Sequence, residues 1–127
     1  MPGRSPTPDL LHEALLGEAV DNAFFAISVY DDDGRMVAVN RRAAELLGYS
    51  REELLSYDVG AHTEGGFDRS RLINKEMREG ARLVRHKDGS KTPVAFVVAP
   101  ATLAGLPYFV AVWWQLAADD PRAQSAT

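Results

Sequence analysis

The sequence of 127 residues contains no cysteine, and this absence removes several kinds of chemistry at once. Disulfide bonds, thiolate metal sites, cysteine nucleophiles and cysteinyl adducts all need a thiol. Long apolar runs are also missing, since none approaches the roughly 20 residues that span a bilayer. The first ten residues lack the apolar segment of a signal peptide. We therefore expect a cytoplasmic protein that does not interact with membranes.

A concentration of positive charge is absent as well. The 14 basic residues are scattered among 18 acidic ones, and the net charge is −4. Such a chain is repelled by phosphate, so nucleic acid is not an expected partner. The composition is 46% hydrophobic, which is enough for the core of one domain.

Catalytic and metal-binding motifs are missing too. There is no glycine-rich phosphate loop, no His-x-x-x-His pair and no Gly-x-Ser-x-Gly turn. Three consecutive aspartates begin at Asp31, but a calcium loop counted from there would place Arg35 and Arg42 at ligand positions. With Gly34 following, the aspartates are better interpreted as a tight turn between strands. We predict neither a metal site nor an enzyme.

The order of elements predicts an α+β fold. A helix is expected from about Pro8 to Val20, then a hairpin around the aspartates, and then two short helices separated by Gly48. Helical spacing returns over residues 68–79, with Gly80 as its end. Three antiparallel strands follow, so the expected architecture is a five-stranded antiparallel sheet with short helices on one face.

Two elements carry more apolar surface than a single core needs. The N-terminal helix is apolar on two sides, and the last strand is apolar on both faces. We expect this amphipathic helix to cap the outer face of the sheet and to contact a second copy of the chain. The candidate residues of this homodimer interface are Leu10, Leu11, Leu15, Leu16, Val110, Val112, Trp114 and Leu116.

Two segments together resemble the PAS sensory domain family. They are "DNAFFAISVYDDDGRMVAVNRRAAELLGYSREELL" at 21–55 and "RLVRHKDGSKTPVAFVVAPATLAGLPYFVAVWW" at 82–114. The first includes the asparagine (Asn40) found at the entry of the family's helix pair. The resemblance places a PAS domain at 21–117. It leaves a flexible N-terminus plus the amphipathic helix at 1–20, and a disordered tail at 118–127.

The resemblance implies a sensory or protein-interaction module of signal transduction, with a pocket between the sheet and the helices. The residues expected to face that pocket are Phe25, Ile27, Leu47, Leu72, Ile73, Met77, Val84, Val94, Phe96, Val98, Phe109, Ala111 and Trp113. Two interpretations stay open: a core filled by side chains, or a pocket for a small apolar ligand such as a fatty acid. Arg82 or His86 could pair with a ligand carboxylate at its mouth.

No cofactor is predicted. Flavin-binding members of the family carry amide side chains where this chain has Val84, Val94 and Trp113, and the photoreactive ones need a cysteine. Haem-binding members carry a histidine on the helix expected at 68–79, which has none; His12, His62 and His86 lie elsewhere. Flavin and haem are therefore both disfavoured.

The end of the last strand departs from the family. Signalling members often carry an Asp-Ile-Thr type motif where this chain has Gln115-Leu116-Ala117. Two explanations stay open: the sequence is a piece of a longer protein, or it signals by binding another protein.

Overall fold

The computed structural model describes residues 8–55 and 78–126. Four helices and five strands lie in these ranges: α1 (Pro8–Asp21), β1 (Ala26–Asp31), β2 (Met36–Val39), α2 (Arg41–Leu47), α3 (Arg51–Leu54), β3 (Arg78–Arg85), β4 (Lys91–Leu103), β5 (Leu106–Gln115) and α4 (Pro121–Ser125). The expected flexible start before Pro8, the helix residues 68–77 and His62 lie outside the described residues.

The five strands form one antiparallel sheet in the order β2-β1-β5-β4-β3. The predicted fold class is therefore confirmed. The hairpin through the aspartates joins β1 to β2, and Gly34 in it has φ 83°, as the turn interpretation requires. β4 and β5 meet at a two-residue turn in which Ala104 and Gly105 both have positive φ.

The two faces of the sheet have different surroundings. The inner face carries Ser28, Phe96, Val98, Ala111 and Trp113, whose cross-strand pairing places them side by side. Helix α2 packs on β1, and its Ala43 and Leu47 join the core cluster with Leu54 of α3. The opposite face, which we call the outer face, carries the alternate residues of the same strands.

Local signals in the sequence start and end the short helices. Asn40 caps α2, since its side chain accepts a hydrogen bond from the backbone N–H of Ala43, and Gly48 ends the helix at φ 77°. Ser50 and Glu53 form a complete capping box at α3. The expected separation of the two helices at Gly48 is confirmed, and these caps fix the ends of α2 and α3.

Three expectations about element boundaries and packing are corrected. Residues 78–80, expected as the end of a helix, open strand β3 and pair with β4. The tail expected to be disordered from 118 instead contains α4, capped by Asp120 and packed on β3 and β4. Finally, α1 contributes no buried residue, so within one chain it does not cap the outer face.

Candidate functional site

The inner face brings together most of the residues expected around the pocket. Leu47, Val84, Val94, Val98, Phe109, Ala111 and Trp113 belong to the buried core cluster, with Phe96 partly buried against it. The remaining expected helix residues, Leu72, Ile73 and Met77, lie outside the described part of the chain. The structure thus brings eight of the candidates into one cluster, with Leu47 on α2 and seven on the sheet, which we call the inner wall.

The expected side of β1 is wrong. Ile27 pairs with Val112 on the outer face, and Phe25 precedes the strand and is only half-buried. The inner residues are instead Ala26, fully buried, and Ser28, also fully buried. The physical reason is the size of Trp113. Ala26 stands directly opposite Trp113, and its small side chain leaves room for the indole, which the larger Phe25 or Ile27 would not.

A buried polar group lies in the middle of this wall. The indole N–H of Trp113 donates to Ser28 Oγ at 3.1 Å, and Ser28 is also hydrogen-bonded to Tyr30. Burial raises the pKa of the Tyr30 hydroxyl to about 12, against the smaller opposing effect of that hydrogen bond. These contacts hold the indole within the core. Sequence reasoning missed this role, although Ser28 is the single hydroxyl in the run "FFAISV".

The residues considered for ligand or haem binding are spread over the fold. His12 is exposed on α1. His86 is half-buried with its ring against Gly48, where a Cβ would come within 2.2 Å of Nε2. The Arg82 guanidinium lies over the Phe96 ring, 5.8 Å from its centroid, so the inner face near β3 combines one cation with one aromatic ring.

The outer face is apolar and partly accessible. Val110, Val112 and Trp114 are each half-buried, and residues 92–118 include no charged side chain. Leu116, expected at the dimer interface, is instead 5% exposed, which removes it from the accessible surface. Ala95 pairs with Trp114 on this face and is also buried. Since α4 follows Leu116 and packs on β3 and β4, we place it over this end of the outer face.

Helix α1 presents the most prominent apolar surface of the described residues. Leu10, Leu11, Leu15 and Leu16 are between 48% and 58% exposed. Phe24, just beyond the helix, is 83% exposed and touches only the edge of Phe25 among aromatic rings of the described chain. Together with the outer face, α1 forms the candidate interaction surface.

The three aspartates behave as a turn. Their carboxylates lie within 4.8 Å of one another. Asp31 Oδ1 accepts hydrogen bonds from the backbone N–H groups of Asp33 and Arg35, both at 2.9 Å. The carboxylate therefore closes the hairpin as an acceptor for its own backbone, and we infer no metal site from it.

Comparison with known proteins identifies the family. The PAS domain family matches residues 21–113, which is most of the chain and coincides with the sheet and the helices of its inner face. The chain belongs to the PAS domain family. This confirms the resemblance seen in the sequence. Among curated proteins, none matches the chain.

Solved structures of other PAS domains have the same fold. A PAS domain of an HTR-like protein from Haloarcula marismortui is 26% identical, with a TM-score of 0.78 over 89% of this chain and 100% of that chain. A domain of a sensory box sensor histidine kinase/response regulator from Geobacter sulfurreducens is 19% identical, with a TM-score of 0.71 over 84% and 96%. The PAS domain of nitrogen regulation protein NR(II) from Vibrio parahaemolyticus is 15% identical, with a TM-score of 0.69 over 80% and 98%.

PAS domains are sensory modules of signal transduction. The inner wall and the surface formed by α1 and the outer face are the two candidate sites of this PAS domain. Within 8–55 and 78–126, no helix is long and apolar enough to cross a bilayer.

Proposed function

We propose that this PAS domain works as a homodimer, with α1 and the accessible part of the outer face as the surface between copies. The observation that carries the proposal is the exposure of four leucines on a helix with no buried residue. Each fully buried leucine side chain stabilises a protein by about 1.5–3 kcal/mol relative to an exposed one. A 14-residue helix that buries nothing lacks this stabilisation, and a second copy supplies it.

The charge distribution supports a second copy as the partner. The chain carries a net charge of −4, so two copies repel each other wherever acidic surfaces meet. The β4 and β5 part of the outer face avoids this repulsion, because residues 92–118 are uncharged. Large apolar patches on soluble proteins mark sites of association, and a symmetric dimer lets one copy's helix and sheet face be buried by the same surface of the other.

Light scattering over a concentration series tests the homodimer. The wild type should have twice the 13.9 kDa mass of the chain. Leu11→Asp and Trp114→Asp should each shift it to the monomer, because a buried charge without a partner is costly. Leu55→Asp is the matched control: Leu55 is 47% exposed and Leu11 is 48% exposed, but Leu55 ends α3 on the side of the inner face. A monomeric wild type would contradict the proposal.

A second candidate function is the binding of a small apolar ligand with an anionic group at the inner face. The Arg82 guanidinium over the half-buried Phe96 ring favours it. Buried Trp113 reduces the space available at β5. Native mass spectrometry of gently purified protein tests this candidate: a bound fatty acid adds mass, and Arg82→Gln should lose it. An unmodified mass together with no thermal shift on adding a fatty acid would exclude it.

The remaining proposals concern what the domain does not do. We propose that it signals from the cytoplasm by contacts with its own copy or with a signalling protein, without catalysis, haem, flavin, nucleic acid or membrane. Among the described acids, Glu53 supports this proposal, because its carboxylate is engaged by the Ser50 backbone N–H and by Lys87. An absorption spectrum of purified protein tests the cofactor part, because haem and flavin both absorb visible light.

A further inference from the structure

The junction between α1 and the sheet contains a fully bonded buried amide. Asn40 is 4% exposed. Its Nδ2 group donates to the carbonyl of Val20 at 2.7 Å and to that of Phe25 at 3.1 Å. Its Oδ1 accepts from the backbone N–H of Ile27 at 2.9 Å and of Ala43 at 3.1 Å. One side chain therefore joins the last turn of α1, the following loop, strand β1 and the start of α2.

A carboxylate adjacent to this amide connects α1 to two further helices. Asp21, the last residue of α1, accepts a hydrogen bond from the backbone N–H of Arg41 at 3.1 Å. The same oxygen contacts the guanidinium of Arg51, the first residue of α3. The other carboxylate oxygen lies 4.0 Å from the Arg41 guanidinium. Asp21 therefore touches both α2 and α3.

We propose that Asn40 and Asp21 are positioning residues for α1. In this arrangement, which we call the α1 joint, Asn40 fixes the last turn to the core and the Asp21–Arg51 pair makes the direction of α1 depend on the position of α3. Because α1 buries no residue, polar contacts at its last turn hold its direction in place of apolar packing. The consequence for association rests on the proposed homodimer; the joint itself does not.

The length of the helix amplifies small changes at the joint. At 1.5 Å per residue, the 14 residues of α1 extend about 21 Å, so a tilt of about 10° moves the far end by roughly 4 Å. The Asp21 and Arg51 side chains are 31% and 46% exposed, and exposed ion pairs add little to stability. The pair can therefore change the direction of α1 while the folded core is retained.

The lack of cysteine makes the test direct. Cysteines introduced at Glu13 on α1 and at Asp32 on the β1–β2 turn, both exposed, carry two spin labels, and dilution with unlabelled chain isolates the distance within one copy. In Arg51→Gln and Asp21→Asn, the distance distribution should broaden, and the population ratio of the wild-type distance to other distances should fall by about twofold to fivefold, the range that an exposed ion pair supports. The melting midpoint should change by no more than about 5 °C.

Matched variants separate a positioning role from a general one. Arg42→Gln removes another exposed pair, Arg42–Glu45 at 3.3 Å, which lies within α2 and outside the α1 joint, and it should leave the distribution unchanged. Arg51→Lys, which keeps the charge, should restore part of the narrow distribution. Asn40→Ser keeps an acceptor for the α2 cap but loses both donors, so exchange of the Ala23 amide should accelerate.

Each outcome has a definite meaning. A narrow, unshifted distribution in both Arg51→Gln and Asp21→Asn overturns the inference, and so does equal broadening in Arg42→Gln. These distances are measured within one chain, so they decide the joint whether or not copies associate. If the wild type is monomeric but the distribution broadens as expected, the homodimer fails and the α1 joint stands. If Asn40→Ser does not fold, the Arg51 and Asp21 variants still decide.

Discussion

Trp113 and Trp114 are neighbours in β5 and lie on opposite faces of one sheet, yet their side chains differ in burial and in hydrogen bonding. Trp113 is 5% exposed, stands between Ala26 and Phe96 on the adjacent strands and donates its indole N–H to Ser28. Trp114 stands opposite Ala95 and remains half-buried. A tryptophan side chain is thus buried by its own chain on the inner face and partly accessible to solvent on the outer face.

The difference shows how the two faces are stabilised. On the inner face, small residues make room for a large one and a hydroxyl bonds its polar atom, which are the conditions of a well-packed core. On the outer face, α4 covers one end and the rest keeps apolar surface exposed to solvent. The inner face therefore contributes most to the stability of one chain, and the accessible part of the outer face belongs to the surface that we propose for association.

The largest expected effect tests this contrast directly. Trp113→Ala should lower the free energy of unfolding by about 4 kcal/mol, since it leaves a cavity in the core and an unbonded Ser28. Trp114→Ala, the matched control from the other face, should cost about 1 kcal/mol because the side chain is only half-buried. Guanidinium denaturation of each variant, at a concentration where the protein is monomeric, measures both. Equal losses would show that the two faces do not differ.

The next largest effect concerns the buried amide of Asn40, at the junction of α1, β1 and α2. Asn40→Ala should destabilise the fold by roughly 3 kcal/mol, because it removes four hydrogen bonds and leaves buried backbone groups unpaired. Ser50→Ala, which removes an exposed cap of α3, should cost only about 1 kcal/mol. Urea unfolding compares the two caps. A loss at Asn40 no greater than that at Ser50 would mean that the junction is unimportant for stability.

Local patterns in the sequence were sufficient for the fold. The turn that contains Gly34 and the break between two helices at Gly48 each follow from geometry within a few residues, and the structure confirms both. What could not be predicted depends on contacts between distant segments. The sequence predicts Phe25 and Ile27 on the inner side of β1, whereas the structure places Ala26 and Ser28 there, beside Trp113 from far along the chain.

The candidate surface was only partly predictable for the same reason. The exposed leucines of α1 follow from its two-sided apolar pattern, but Leu116 looked equivalent to Val112 until the chain end was known to form α4. A five-residue helix has too little periodicity to be recognised in a polar tail. Likewise, the Asp21–Arg51 pair joins residues 30 positions apart, and charge alone does not say which acid meets which base.

High pH should loosen the inner face through Tyr30. Burial raises its pKa from 10.0 to about 12. Its contribution to the free energy of unfolding is therefore complete below pH 10 and is lost as pH rises through about 12. The loss should reach about 2.7 kcal/mol at most, which corresponds to a shift of about two pH units. In Tyr30→Phe this alkaline decline should be reduced, while Tyr108→Phe, on the outer face, should keep it. Chemical unfolding at several pH values measures the decline, and its persistence in Tyr30→Phe would contradict this origin.

The smallest effect lies on the helix side of the sheet, where Glu53 connects α3 to the β3–β4 turn. Hydrogen bonds from the Ser50 backbone N–H and then from Lys87 hold the pKa of Glu53 below its ordinary value of 4.5. The resulting contribution to the free energy of unfolding is present when the pH is above that ordinary value, and it is lost as the pH falls through the lowered pKa. The Ser50 amide resonance should therefore titrate with acid in the wild type and stay constant in Glu53→Gln, which keeps an acceptor. Because the group is exposed, the melting midpoint should barely change, whereas a large acid-dependent fall that vanished in Glu53→Gln would mean that this surface contact matters as much as the buried inner face.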